Sequence, residues 1–196
     1  MKLTRRLGLG ALALGIAAPM ASPYRSTRGE LDVDAIARAI LAGEDHVEAP
    51  TLARWIRERK PGLRVIDVRD AAAFGDDAIP TAENIPLDRL TRATFAPAQA
   101  IVLYSEEGAH GGQAWVMLRA LGIVNARFIA GGLADWRDDV MYPVLRADAS
   151  ADEREAFAAI AELSRYFGGQ PRVGEPGESA ANVEARRRET LRRRGC

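Results

Sequence analysis

Apolar positions along the chain fall into short runs that switch between the period of a helix and that of a strand. Leu31, Ile36, Ile40 and Leu41 share one face of a helix predicted over 31–42, with Thr27 and Glu30 as a capping box before it and Gly43 to stop it. A short extended piece over 46–48 leads to a second helix. It has Pro50 in its first turn, Leu52, Trp55 and Ile56 as its apolar face, and Lys60-Pro61-Gly62 at its end. The run LRVIDV (63–68) is rich in β-branched residues and bounded by a turn, so it reads as a buried strand. Residues 82–85 form a short strand before Pro86, and IVLY (101–104) is another apolar strand. Helical spacing through Trp115, Leu118 and Leu121 predicts a helix over 112–121 closed by Gly122, and 126–129 returns to strand.

Strands alternating with helices of about ten residues need crossover connections. They imply an α/β fold with a mainly parallel central sheet and helices on both faces. Ser150 and Glu153 form a second capping box, for a helix over 151–167 whose inner face is Phe157, Ile160, Leu163 and Phe167, with Gly168-Gly169 at its end. From there to 181 the chain is rich in Gly, Pro and Glu. Residues 183–194 are rich in Arg, and the chain stops at Cys196. The expected organisation is therefore a signal peptide (1–21), a linker and N-terminal helix (22–45), one α/β domain (46–146), a C-terminal helix packed on it (147–168) and a flexible Arg-rich tail (169–196).

Composition narrows the functional classes. The 27 basic and 27 acidic side chains cancel, but unevenly: 22–167 carry 17 basic against 23 acidic residues, and 168–196 carry seven Arg against four Glu. An acidic body with a basic tail argues against nucleic-acid binding, which needs a basic face on the body itself. A single cysteine excludes an intrachain disulfide framework and a cysteine-cluster metal site, and two histidines, His46 and His110, argue against a His-based one. No metal and no cofactor is expected. Lys2, Arg5 and Arg6 precede an apolar stretch over 7–18 and then small residues, the pattern of an export signal too short to span a bilayer. Thr4-Arg5-Arg6 before a Gly-rich run resembles a twin-arginine signal. The chain is thus expected in the periplasm or otherwise exported, with no transmembrane segment once the signal is removed.

Four blocks, in order and in register, resemble a rhodanese-like domain. RVIDVRD (64–70) resembles that family's early strand and turn. AIPTAENIPLDRL (78–90) is similar to its Gly-His-Ile-Pro-Gly-Ala-x-Asn-Ile-Pro segment, matching at Ile79, Pro80, Ala82, Asn84, Ile85 and Pro86. IVLYSEEGAHGGQAWVMLRALG resembles its strand, active loop and helix, and GGLADW (131–136) its Gly-Gly-x-x-x-Trp ending. Together they span about 47–145 and imply a rhodanese-like three-layer α/β domain. In the family's enzymes the loop reads Cys-x-x-x-x-Arg. The cysteine carries sulfane sulfur as a persulfide, and backbone N–H groups cradle the anion. Here those positions are Ser105 and His110.

That exchange changes the chemistry. A thiolate is a soft nucleophile with a pKa of about 8.5 that a cationic or helix-terminal setting lowers further, whereas a serine hydroxyl needs a base and cannot store persulfide sulfur. Glu106 and Glu107 are expected to repel thiosulfate, while the helix start at Gly111-Gly112 still offers N–H groups to an anion. Ordinary thiosulfate sulfurtransfer is therefore not expected. The candidate ligand loop is Ser105, Glu106, Glu107, Gly108, Ala109, His110 and Gly111, serving an unidentified small anion or protein partner in periplasmic sulfur or redox handling, or left as a vestige without a ligand. An alternative is Cys196 as a persulfide or disulfide carrier: the 29 residues after Phe167 reach roughly 30 Å as a random coil. A Ser105/His110 hydrolase is a third reading, for which no orienting group is identifiable. Ser105 as a loop hydroxyl satisfying backbone groups and His110 as a helix-cap residue is the plainer one. Asp67 and Arg69 are expected to make structural hydrogen bonds, His46 to be a surface strand residue, and Trp55, Trp115 and Trp136 to be core. The tail arginines suit an acidic surface.

Overall fold

A computed structural model describes residues 32–174. The export signal, the Thr27/Glu30 capping box and most of the Arg-rich tail, Cys196 included, lie outside the described residues. The elements in chain order are α1 (Val33–Leu41), β1 (His46–Val47), α2 (Ala49–Arg57), β2 (Leu63–Asp67), α3 (Ala71–Asp76), β3 (Glu83–Asn84), α4 (Leu87–Leu90), β4 (Ala100–Tyr104), α5 (Ala109–Ala120), β5 (Ala126–Ile129), α6 (Gly132–Asp135), a π-helical turn (Trp136–Met141), β6 (Val144–Leu145), α7 (Ala151–Tyr166) and β7 (Arg172–Val173). Five strands form one parallel sheet in the order β1-β5-β4-β2-β3, and β6 and β7 form a separate parallel pair. The fold is the expected α/β arrangement.

The strands explain why both faces are covered. Along β2 and β4 the side chains alternate: Val65, Val102 and Tyr104 enter one buried cluster, and Ile66, Ile101 and Leu103 enter the other. The first cluster is closed by Leu52 and Ile56 of α2, Leu133 of α6, Trp136 and Val140 of the π turn, and Leu163 of α7. The second is closed by Ala39 of α1, Leu90 of α4, and Ala114, Trp115 and Leu118 of α5. Such double burial is what a parallel sheet requires, and it makes LRVID and AIVLY near-continuous apolar runs.

Several element boundaries differ from the sequence reading. Helix α5 starts at Ala109, three residues before the expected start, and Leu121 is exposed just past its end. Helix α7 has the expected Ser150/Glu153 capping box, but its fully buried positions are Ala161, Leu163 and Ser164, with Phe157, Ile160 and Phe167 half-buried. Trp115 and Trp136 are core residues. Trp55 is only half-buried, and the Lys60 ammonium covers its ring at 3.9 Å from the centroid. No helix among the described residues is long and apolar enough to cross a membrane.

Leu103 lies in the central strand with no exposure. Leu103→Ala is expected to cost about 2–5 kcal/mol in urea unfolding, through lost burial and a cavity between α5 and the sheet. The midpoint should fall with the slope unchanged.

Candidate functional site

The carboxyl ends of parallel strands are where loops from neighbouring units meet, and ligand crevices in α/β sheets form there. At that edge β2 ends on Asp67, β4 on Tyr104, β3 on Asn84 and β5 on Ile129, with Asp67 in register with both Tyr104 and Asn84. Ser105 follows Tyr104 directly, so strand pairing alone fixes where the loop begins.

Ser105 is 2% exposed. Its Oγ accepts hydrogen bonds from the backbone N–H groups of Gly108 and Gly111, both at 3.2 Å. The loop curls around the serine oxygen, and two amides that would otherwise serve an anion are already satisfied. Both contacts are at the long end of the N–H···O range. Gly108, at φ +87°, is the N-cap of α5 and sits so near β5 that a Cβ there would lie 1.7 Å from the Ala130 carbonyl oxygen.

A second loop locks the first. The carbonyls of Ser105 and Glu106 accept from the N–H groups of Leu133 and Ala134, at 2.8 and 3.0 Å. These donors belong to the first turn of α6, whose N–H groups have no partner within the helix. Gly132, at φ +64°, makes the approach possible, since a Cβ there would lie 2.3 Å from the Ser105 carbonyl oxygen. Gly131 is needed for another reason: its N–H donates to Asp135 Oδ2 at 3.0 Å, and a Cβ would meet that carboxylate.

Charge at the mouth is organised from within the sheet. Asp67 has no exposure to solvent, and its carboxylate accepts from the Arg69 backbone N–H (2.9 Å), Nε (3.0 Å) and Nη2 (2.7 Å). Arg69 continues outward, donating from Nη1 to Glu106 Oε2 at 2.8 Å and from Nη2 to the Asp77 carbonyl at 2.5 Å. Arg137, on the π turn, donates to the other Glu106 oxygen, Oε1, and from Nε to Asp77 Oδ2 at 2.9 Å. Burial acts to lower the pKa of both arginines, but their hydrogen bonds and carboxylate neighbours outweigh it and both are raised. Burial, then the field of Asp67, pushes the Tyr104 hydroxyl up, which keeps it neutral; its oxygen accepts the Ile79 N–H at 3.1 Å. The Asn84 side chain donates to the carbonyls of Asp67 and Arg69, clamping the turn that aims Arg69.

The loop residues 105–111 therefore come together as one cradle, although their roles diverge. Glu106 is not an unscreened repulsive carboxylate: it is held between two arginines. One oxygen of Glu107 is buried with no hydrogen-bond partner among the described residues. His110 is exposed on the first turn of α5, and the partners of the Ser105 oxygen are backbone amides rather than its imidazole. Asp67 and Arg69 make the expected structural bonds. Exposed His46 pairs with Asp45 at 2.8 Å. No cluster of three or more His, Cys, Asp or Glu among the described residues is placed to hold a metal. Sequence reasoning missed Arg137 and Asp77, whose side chains meet across 60 positions of chain. The sequence signal adjacent to them is the position of Arg137 directly after the GGLADW block.

A family profile described as "Rhodanese-like domain" matches residues 49–139. The chain contains a rhodanese-like domain. Among solved structures, the domain is similar to a Bacillus halodurans protein at 27% identity, covering 53% of this chain and 79% of that one with a TM-score of 0.45. A human single-domain sulfurtransferase matches at 28% identity, covering 46% and 93%, with a TM-score of 0.41. The rhodanese-like domain of an Anabaena protein matches at 25%, covering 47% and 72%, with a TM-score of 0.44. No curated protein matches the chain.

Two glycine substitutions separate backbone strain from steric collision in this domain. Gly122→Ala, at φ +82° with open space around it, is expected to cost about 1–2 kcal/mol. Gly132→Ala adds a collision with the Ser105 carbonyl and should cost clearly more in the same urea titration. Equal losses would show that the loop yields freely.

Proposed function

We propose that this rhodanese-like domain is an exported binding or accessory module of periplasmic sulfur or redox handling that does not carry out thiosulfate sulfurtransfer at its active loop. The observation that carries this reading is the Ser105 oxygen standing in the cradle, buried and accepting the N–H groups of Gly108 and Gly111. Sulfane transfer needs a thiolate to attack the outer sulfur of the donor, expel sulfite and keep the sulfur as a persulfide. Oxygen at this position forms no equivalent store. Both of its acceptor sites face amides, and no side chain among the described residues takes its proton as a base would. Export is supported by the basic, apolar and small-residue succession over 1–21.

The test is sulfur loading followed by intact-mass measurement, in a Cys196→Ser background so that the terminal thiol contributes nothing. After incubation with thiosulfate the Cys196→Ser protein is expected to gain no sulfur and to show no transfer to cyanide. The same protein with Ser105→Cys is expected to gain one sulfur atom, because the long N–H···O contacts leave room for the larger atom. Enzyme-like turnover by the protein that retains Ser105 would overturn the reading.

A further inference from the structure

We propose that Arg69 and Arg137 form an anion site that Glu106 fills from within, and that its ligand is a small organic monoanion whose apolar body enters the adjoining cavity. This rests on the reading of the domain as a binding module and names what it binds.

Two guanidinium groups from different parts of the fold converge on the two oxygens of one carboxylate. The planar fork of arginine matches a carboxylate or sulfonate equally well. Neither arginine depends on Glu106 for its position. Arg69 is held by buried Asp67 and by the Asp77 carbonyl, and Arg137 by the Asp77 carboxylate. The side chains of Arg69 and Arg137 are 10% and 27% exposed, whereas that of Glu106 is 42% exposed. Glu106 is thus the movable member. Its backbone carbonyl stays pinned by the Ala134 N–H, so a rotation of its side chain alone releases both cations.

Charge balance selects the ligand. The cluster holds three carboxylates (Asp67, Asp77 and Glu106) against two arginines, a net charge of −1. Turning the Glu106 carboxylate out to solvent and seating a monoanion in its place leaves the charge in contact with the two arginines unchanged, while a dianion adds a negative charge beside buried Asp67. Arg137 and Asp77 also line a cavity of about 370 Å³ whose other walls include Pro80, Trp136, Met141 and Phe167. That volume suits a small ligand with an aromatic or aliphatic body. An inorganic anion would leave the apolar surface of these four side chains against water and gain nothing from it.

An internal competitor that fills the site roughly nine-tenths of the time weakens apparent affinity about tenfold. Titrating the full chain with benzenesulfonate by calorimetry or NMR is therefore expected to show binding about tenfold tighter in Glu106→Gln than in the native protein. Glu106→Asp, too short to span both arginines, should tighten binding in the same direction, and it serves if Glu106→Gln does not fold. Adding Arg137→Gln to Glu106→Gln should remove the gain, and sulfate should bind Glu106→Gln at least about tenfold more weakly than benzenesulfonate. Folded Glu106 variants that bind no more tightly than the native chain, or a gain that survives loss of Arg137, would overturn the site. Equal affinity for sulfate and benzenesulfonate would overturn the role of the cavity. These titrations are independent of sulfur loading, so persulfide formation by the Ser105-containing protein would overturn the binding-module reading without altering them.

Discussion

A carboxylate with no access to water has to be matched by a cation, and Asp67 imposes that demand at the end of β2. The effective penalty for burying such a charge is several kcal/mol, recovered only with good geometry and full hydrogen bonding. Arg69 meets the demand from two residues away, and in doing so it is drawn inward to 10% side-chain exposure. Its remaining donors then face the loop after β4 and the turn after α3. Glu106 and Asp77 are positioned by that second set of bonds, and Arg137 closes the circuit between them. The electrostatics of the mouth are thus a consequence of one buried acid inside the sheet.

The shape of the loop has a separate origin. The Ser105 and Glu106 carbonyls satisfy the first turn of α6, while Gly108 and Gly132 remove the two side chains that would hold the loops apart. None of these contacts uses the side chain at 105. These backbone and glycine contacts set the path of the loop, and the chemistry at its centre is a separate question, decided by the residues of the site rather than by the fold. The serine oxygen then takes over a structural task, accepting two amides in a pocket where unsatisfied donors would cost about 1–3 kcal/mol each.

The sheet was legible in the sequence because double burial writes itself as unbroken apolar runs, and 63–68, 101–104 and 126–129 fall within a residue of β2, β4 and β5. Legibility failed where local and tertiary signals part. Helix α5 begins at Ala109 because Gly108 turns the chain left-handed and the Ser105 oxygen accepts the N-cap amide of Gly108 and the first-turn amide of Gly111, whereas Gly111 and Gly112 mark a loop by propensity. Phe157 and Ile160 have helical spacing, yet α7 reaches the core through Ala161, Leu163 and Ser164. The short helices α3 and α4 and the π turn carry too few periodic positions to register. In the site, Asp67, Arg69 and Asn84 lay in recognisable blocks. The bridging of Glu106 by Arg69 and Arg137 depends on residues 37 and 31 positions away, a pairing that no local spacing encodes.

The two features that would draw an anion to this edge, converging amides and converging cations, are both satisfied by oxygens of the chain itself. Buried donors and paired guanidiniums left open need solvent or a ligand to offset their desolvation. Ser105 removes that requirement for the amides and Glu106 for the arginines, so the loop holds its form without either. The two substitutions are not equivalent in depth, however. Ser105 is 2% exposed and its position is fixed by strand register, whereas the glutamate carboxylate sits on a side chain 42% exposed to solvent. A ligand displaces the partner that moves at least cost, which shifts the point of recognition away from the buried nucleophile position and onto the arginine pair at the rim.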